Sequence, residues 1–190
     1  MDKTWLVNLC TRGWSLKALA LLAAGCPARV SPLAAAAGCG RTAMGASVSQ
    51  LVVLGLLQRN EGYGHPLRPE YCLTSLGEAV ASWALTLDRL VPQPEDNQIL
   101  RGKWALPVIS TLNANARYSV VRKKLSPVSD RALSICFNRL TERHWIERKV
   151  CVESAPPAVS YHTLDLGQQV HQHVLLLPSP VQNLSLAGRQ

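Results

Sequence analysis

Several common signals are missing from this 190-residue chain, and each absence closes a route. Its six cysteines, Cys10, Cys26, Cys39, Cys72, Cys136 and Cys151, form no C-x-x-C pair and no Cys/His spacing suited to zinc. They read as reduced, mostly buried thiols of a cytosolic protein. The five histidines are scattered, with no paired acid, metal spacing or nucleophile motif around them, so neither an enzyme nor a cofactor or metal site is expected. No apolar run is long enough for a bilayer: the longest, around Leu16 to Cys26, is broken by Pro27 and Arg29. Asp2, Lys3, Asn8 and Arg12 leave no uninterrupted apolar core for a signal peptide. A membrane partner is therefore not expected, and the expected location is the cytoplasm.

Negative charge is also scarce. Twelve Asp and Glu face 20 Lys and Arg, a formal net charge of +8 and a pI near 9.5. The excess is local, because Arg117 to Lys149 holds nine basic and three acidic residues. A polyanion is the natural partner for such a patch.

What is present is a repeat. YHTLDLGQQV, Tyr161 to Val170, agrees with YCLTSLGEAV, Tyr71 to Val80, at four of ten positions. The register extends outward: Arg12-Gly13-Trp14 faces Arg101-Gly102-Lys103-Trp104, Ala28-Arg29-Val30-Ser31 faces Ala116-Arg117-Tyr118-Ser119, and Leu51 faces Leu140. The offset stays between 88 and 90, as a tandem duplication with insertions in turns requires. The expected domains are 1–91 and 92–190.

In the second copy, Gly102 to Leu112 reads as a first helix with Trp104, Val108 and Leu112 on one face. Ser119 is expected to cap a short helix, Val120 to Leu125, that exposes Arg122, Lys123 and Lys124. Pro127 stops it. A third helix runs from about Asp130 to Arg143, capped by Ser129, with Leu133, Phe137 and Leu140 inward and Arg131, Ser134, Ile135, Asn138 and Arg139 outward. Trp145 to Val152 and Val159 to Thr163 form two strands around the Ser154 to Pro157 turn, and a closing helix begins near Leu164. That order describes a winged helix-turn-helix. Trp14 and Trp104 are expected as core anchors, and Tyr71 and Tyr161 as packing between hairpin and closing helix.

With RGKW, RYSVVRKKLSPVS, LSICFNRLTERHWIERK, Pro156-Pro157, Tyr161 and Leu166-Gly167 in this order, the second copy resembles the HxlR family of bacterial winged-helix transcription regulators over about Gly102 to Val170. The resemblance implies double-stranded DNA as partner, pairing into homo-oligomers through terminal helices, and no enzymatic activity. The sequence departs from the family at His144, where Gly is usual, at Ile135 and Cys136, where longer polar residues are usual, and at Ala158, where a basic residue is common.

The fold class expected is thus mainly α with small β-hairpin wings (α+β), as tandem winged helix-turn-helix domains forming a pseudo-dimer. Recognition helices read base edges while the preceding helix and wing hold phosphates. On that geometry Arg131, Ser134 and Asn138 are candidates for base contact, and Arg122, Lys123, Lys124, Arg139 and Lys149 for phosphate contact, with Arg117, Ser119 and Ser129 as further DNA-binding candidates. The first copy offers less: Leu33 to Ala37 carries no charge, and its third helix, about Arg41 to Leu54, presents Arg41, Thr42, Ser47 and Gln50, with Arg59, His65 and Arg68 as a basic wing. Leu76 to Leu90 should close this copy, with Pro92 to Asp96 as a break. The tail from Leu175 is open between an arm on another chain and disorder.

The function expected is a regulator that occupies promoter DNA and associates with the nucleoid, the second copy being the stronger binder. A protein-interaction adaptor that has lost DNA reading is the alternative, and a small effector remains open.

Overall fold

A computed structural model describes residues 2–60, 69–112, 116–151 and 158–180. Two units emerge, one from Met1–Arg89 with Leu177–Gln190 and one from Leu90–Leu176. The described residues hold ten helices and five short strands in two antiparallel sheets.

In the first unit, Asp2 starts helix α1 (Lys3–Leu9) by accepting the Thr4 amide at 2.9 Å, which satisfies one of the free donors of a helix start. Helices α2 (Ser15–Ala23), α3 (Val30–Ala37) and α4 (Arg41–Val53) follow. Gly38, at φ +66°, ends α3 in the left-handed conformation that glycine adopts without strain. Leu6, Leu9, Leu19, Leu33, Met44 and Leu51 are fully buried, each contributing about 2 kcal/mol of apolar burial. Strand β1 (Leu57–Arg59) pairs with β2 (Tyr71–Leu73), and α5 (Ser75–Leu90) turns Val80, Trp83 and Leu87 inward. Lys17 reaches both oxygens of Asp88 at 2.9 Å, tying α2 to α5. The start of the tail belongs here as well: Leu177 is buried, and the Trp5 indole donates to the Pro178 carbonyl at 2.9 Å. Neither expected alternative, an arm on another chain or disorder, describes this start of the tail, since Leu177 finds an apolar site within its own chain; residues 181–190 lie outside the described residues.

The second unit opens with α6 (Pro94–Leu100). The sequence reading takes Pro94 as part of a break, yet a proline at the first helical position loses no hydrogen bond, and Glu95 and Asp96 suit the positive end of the helix. Next come α7 (Ala105–Thr111), β3 (Ala116–Arg117), α8 (Tyr118–Lys124), α9 (Asp130–Glu142), β4 (Ile146–Cys151), β5 (Ala158–Thr163) and α10 (Asp165–Leu175). The strand order is β3-β5-β4, with Ala116 opposite Tyr161 and Ile146 opposite Thr163. Leu106, Val108, Ile109, Val121, Leu133, Leu140, Trp145 and Val170 form the core.

The two units repeat local geometry at the sequence offset. Burial follows the same pattern, residue for residue, over Tyr71 to Val80 and Tyr161 to Val170. Thr74 donates its amide to the Leu56 carbonyl at 3.1 Å, and Leu164 donates to Trp145 at 2.9 Å. A Cβ at Gly77 would strike the Leu56 carbonyl, and one at Gly167 the Trp145 carbonyl. The repeated glycine is therefore a close approach of closing helix to hairpin. The turn before each wing also matches, but Gly55 at φ +69° has His144 at φ +56° as its counterpart, a conformation that side chains other than glycine adopt at a cost. Where the second unit has β3, the first keeps one bond, from the Tyr71 amide to the Ala28 carbonyl at 2.9 Å.

Candidate nucleic-acid interface

Helix α8 is short, held by buried Val121 and Leu125, and its last turn exposes Arg122, Lys123 and Lys124. Cations there also suit the negative end of the helix. The helix begins two residues earlier than expected, with Arg117 at the N-cap position, so Ser119 lies exposed inside the helix and is not the cap. Arg117 is exposed and sits opposite Ser160 in the sheet.

Helix α9 follows the sequence reading closely. Ser129 caps it, its hydroxyl accepting the Ala132 amide at 3.3 Å. Leu133, Phe137 and Leu140 face inward, joined by Cys136. Arg131, Ser134, Ile135, Asn138 and Arg139 are exposed. Phe137 anchors the helix between two rings, 5.4 Å from Tyr118 and 4.4 Å, edge to face, from Tyr161. The described ring contact of Tyr161 is thus with this helix, whereas the sequence reading placed it on the closing helix.

Several candidates are already engaged. Arg122 pairs with Asp130 at 2.6 Å across the α8–α9 turn, both more than half exposed, a contact worth little in stability but one that fixes the guanidinium. The Tyr118 hydroxyl donates to the Asp130 carbonyl at 3.1 Å and lies 3.2 Å from the Ser134 hydroxyl. On the wing, Lys149 lies 3.7 Å and His162 2.8 Å from the Glu147 carboxylate. Strand alternation puts Arg148, exposed and opposite Tyr161, on the other face from Lys149. The sequence reading did not list Arg148 among its candidates; two residues after the buried Ile146, it shares that residue's side of the strand and is nevertheless exposed.

The sequence reading also missed the clamp at the base of the wing. Asp96, 6% exposed, accepts from Arg143 Nε at 2.7 Å and from the Trp145 indole at 3.3 Å. It thereby joins α6 to the turn that aims the hairpin. The hydrogen bond to Asp96 holds the Arg143 guanidinium above its ordinary pKa. Trp104 is not the deep core anchor expected: its ring is half-exposed, with Lys103 Nζ 5.1 Å from the ring centre. Trp14 is also only half-buried.

The first unit presents a different face. Arg41 and Thr42 are exposed at the start of α4, but Ser47 is buried and bonds the Ala43 carbonyl at 3.2 Å. Ser47 is therefore removed from the surface candidates. Gln50 is half-buried and donates to the Asn8 carbonyl at 3.4 Å. Helix α3 exposes only Ser31, Ala35 and Ala36. His65 and Arg68 lie outside the described residues.

A helix pair joined by a tight turn and followed by a β-hairpin defines the winged helix-turn-helix class, and the second unit has that form. Residues 99–183, somewhat under half of the chain, match the HxlR-like helix-turn-helix family. Residues 1–98 lie outside the match. No curated protein and no solved structure matches the chain. Among the described residues no helix is long and apolar enough to cross a membrane, and no cluster of side chains could hold a metal ion.

Proposed function

We propose that the chain is a DNA-binding transcription regulator in which two winged-helix units lie in tandem, imitating within one polypeptide the usual two-fold dimer of this class. The second unit is the stronger binder. In this reading α9 enters the major groove and offers Arg131, Ser134 and Asn138 to base edges. Arg117, Ser119, Ser129, Arg122, Lys123, Lys124, Arg139 and Lys149 hold phosphates, and Arg41, Thr42 and Gln50 make the lesser contacts of the first unit. Fusion frees the halves to diverge, so an asymmetric operator becomes readable. Regulation follows from occupancy of promoter DNA.

The observation that carries the proposal is the row of exposed cations in α8, beside an outward α9 face of Arg131, Ser134, Asn138 and Arg139. The repeated glycine, the matching wing hydrogen bonds and the shared burial pattern support the tandem arrangement. Fluorescence anisotropy against native upstream DNA across a salt series tests the reading. With about six phosphates contacted, log affinity should fall against log salt with a slope near −5. A protein-interaction adaptor is the second reading, favoured by the exposed apolar side chains of Val120 on α8, at 43%, and Ile135 on α9, at 44%. Weak binding, equal on every DNA, would select it.

A further inference from the structure

Beside the α9 face described above, the second unit contains an open cavity of about 250 Å³. Its floor and walls are Ile99, Ala105, Ala132, Ile135 and Cys136, with the half-exposed Trp104 ring along one side. Ala132, Ile135, Cys136 and Arg139 contribute from one stripe of α9, at the i, i+3, i+4, i+7 spacing of a helix face. The space exists because the residues facing each other are small: Gly102, Ala105 and Ala132 leave room that larger side chains would fill.

The charge of the rim is one-sided. Lys103 and Arg139 line the cavity, and no Asp or Glu does. Elsewhere, Arg122, Arg143 and Lys149 in this unit each lie against a carboxylate, whereas among the described residues neither Lys103 nor Arg139 is paired with one. An apolar slot with an accessible indole and two such cations is complementary to a flat ring that carries a negative group. The volume lies below the roughly 300–1,000 Å³ of drug-sized sites, which limits the occupant to a small molecule.

We propose that this groove between α9 and the Gly102–Trp104 turn binds a small planar aromatic carboxylate, its ring against Trp104 and Ile135 and its carboxylate between Lys103 and Arg139. Binding is non-covalent, because Cys136 in the wall is buried and its thiol is pushed up to about 12 by that burial, against the nearby Arg139 charge that lowers it. Arg139 cannot serve a carboxylate and a phosphate together. The occupant would therefore oppose DNA binding, and this consequence alone rests on the proposed regulator function.

The test uses the full chain and 2-naphthoate as probe, with 2-naphthalenemethanol as its uncharged counterpart, both titrated by calorimetry. Saturable binding of the acid, about tenfold tighter than the alcohol, is expected, since loss of a charge-assisted contact is worth a factor of that order. The pair K103Q/R139Q should bring the acid down to the affinity of the alcohol, and Ala132→Leu should abolish both by filling the groove. Equal affinity for acid and alcohol, acid binding unchanged in K103Q/R139Q, or no saturable binding would each overturn the proposal. Lys103 and Arg139 are exposed, so the charge-removing pair reports independently of how Ala132→Leu packs. The readout involves no DNA and stands or falls apart from the regulator reading.

Discussion

Helix α3 of the first unit and helix α8 of the second occupy the same place in the order of elements and have opposite surfaces. Both turn apolar residues inward, Leu33 and Ala34 in one, Val121 and Leu125 in the other. Outward, the first shows Ala35 and Ala36 and the second Arg122, Lys123 and Lys124. At the offset of 88, Leu33 and Val121 are buried alike, while the three residues that follow are Ala34 to Ala36 in one helix and Arg122 to Lys124 in the other, so similar packing can carry opposite surface charge. For that reason a shared element order alone assigns no shared function.

The comparison breaks first at its most rigid point. Gly167→Ala and Gly77→Ala should each destabilise by about 3 kcal/mol, because the new methyl meets a backbone carbonyl and no flexible side chain can yield. Denaturant unfolding of the two variants checks this, and a large cost in only one unit would show that the repeated glycine has different reasons in each. Asp96→Ala should cost about 2 kcal/mol by leaving the buried Trp145 indole without its acceptor, with the loss confined to amides of the second unit in hydrogen exchange. The wing turns differ by a smaller amount. His144→Gly should stabilise by about 1 kcal/mol and Gly55→Ala should destabilise by a similar amount, since both positions hold a left-handed backbone. Thermal melts of the pair would show whether the departure at His144 is a strain that the first unit avoids.

A last contrast concerns one buried thiol in each unit. Burial raises both Cys10 and Cys136 from 9.0 to about 12, favouring the neutral form in the folded chain. Their contribution to stability is full below pH 9 and is lost as pH rises toward 12, because the unfolded thiols release protons first. Iodoacetamide at pH 8 should accordingly modify half-exposed Cys26 and Cys72 well before Cys10 or Cys136. Equal labelling of buried and half-exposed thiols would contradict the packing of both helices.

Much of the second unit was legible in its sequence. The Ser129 cap, the inward Leu133, Phe137 and Leu140, and the wing strands follow from periodicity and capping chemistry, and the structure has them. Three misreadings have identifiable causes. Ser47 reads as surface because it is polar, but a serine that bonds the carbonyl four residues back can be buried in a helix of small residues. Trp104 reads as core because it is large, yet a wide indole is often only partly covered. Pro94 reads as a break, although proline also starts helices. The Asp96 clamp and the groove were not legible, because both depend on residues far apart in sequence that meet only after folding.

The central claim is that DNA affinity resides in the second unit. Its most direct test is the salt dependence of anisotropy on native upstream DNA for three proteins: the unmodified chain, R122A/K123A/K124A, and Arg41→Ala. The triple change should reduce the slope by about two to three, as loss of that many phosphate contacts requires, while Arg41→Ala should change it by about one at most. A triple variant that binds like the unmodified chain, or a larger loss from Arg41→Ala, would place the DNA-binding face elsewhere and contradict the claim.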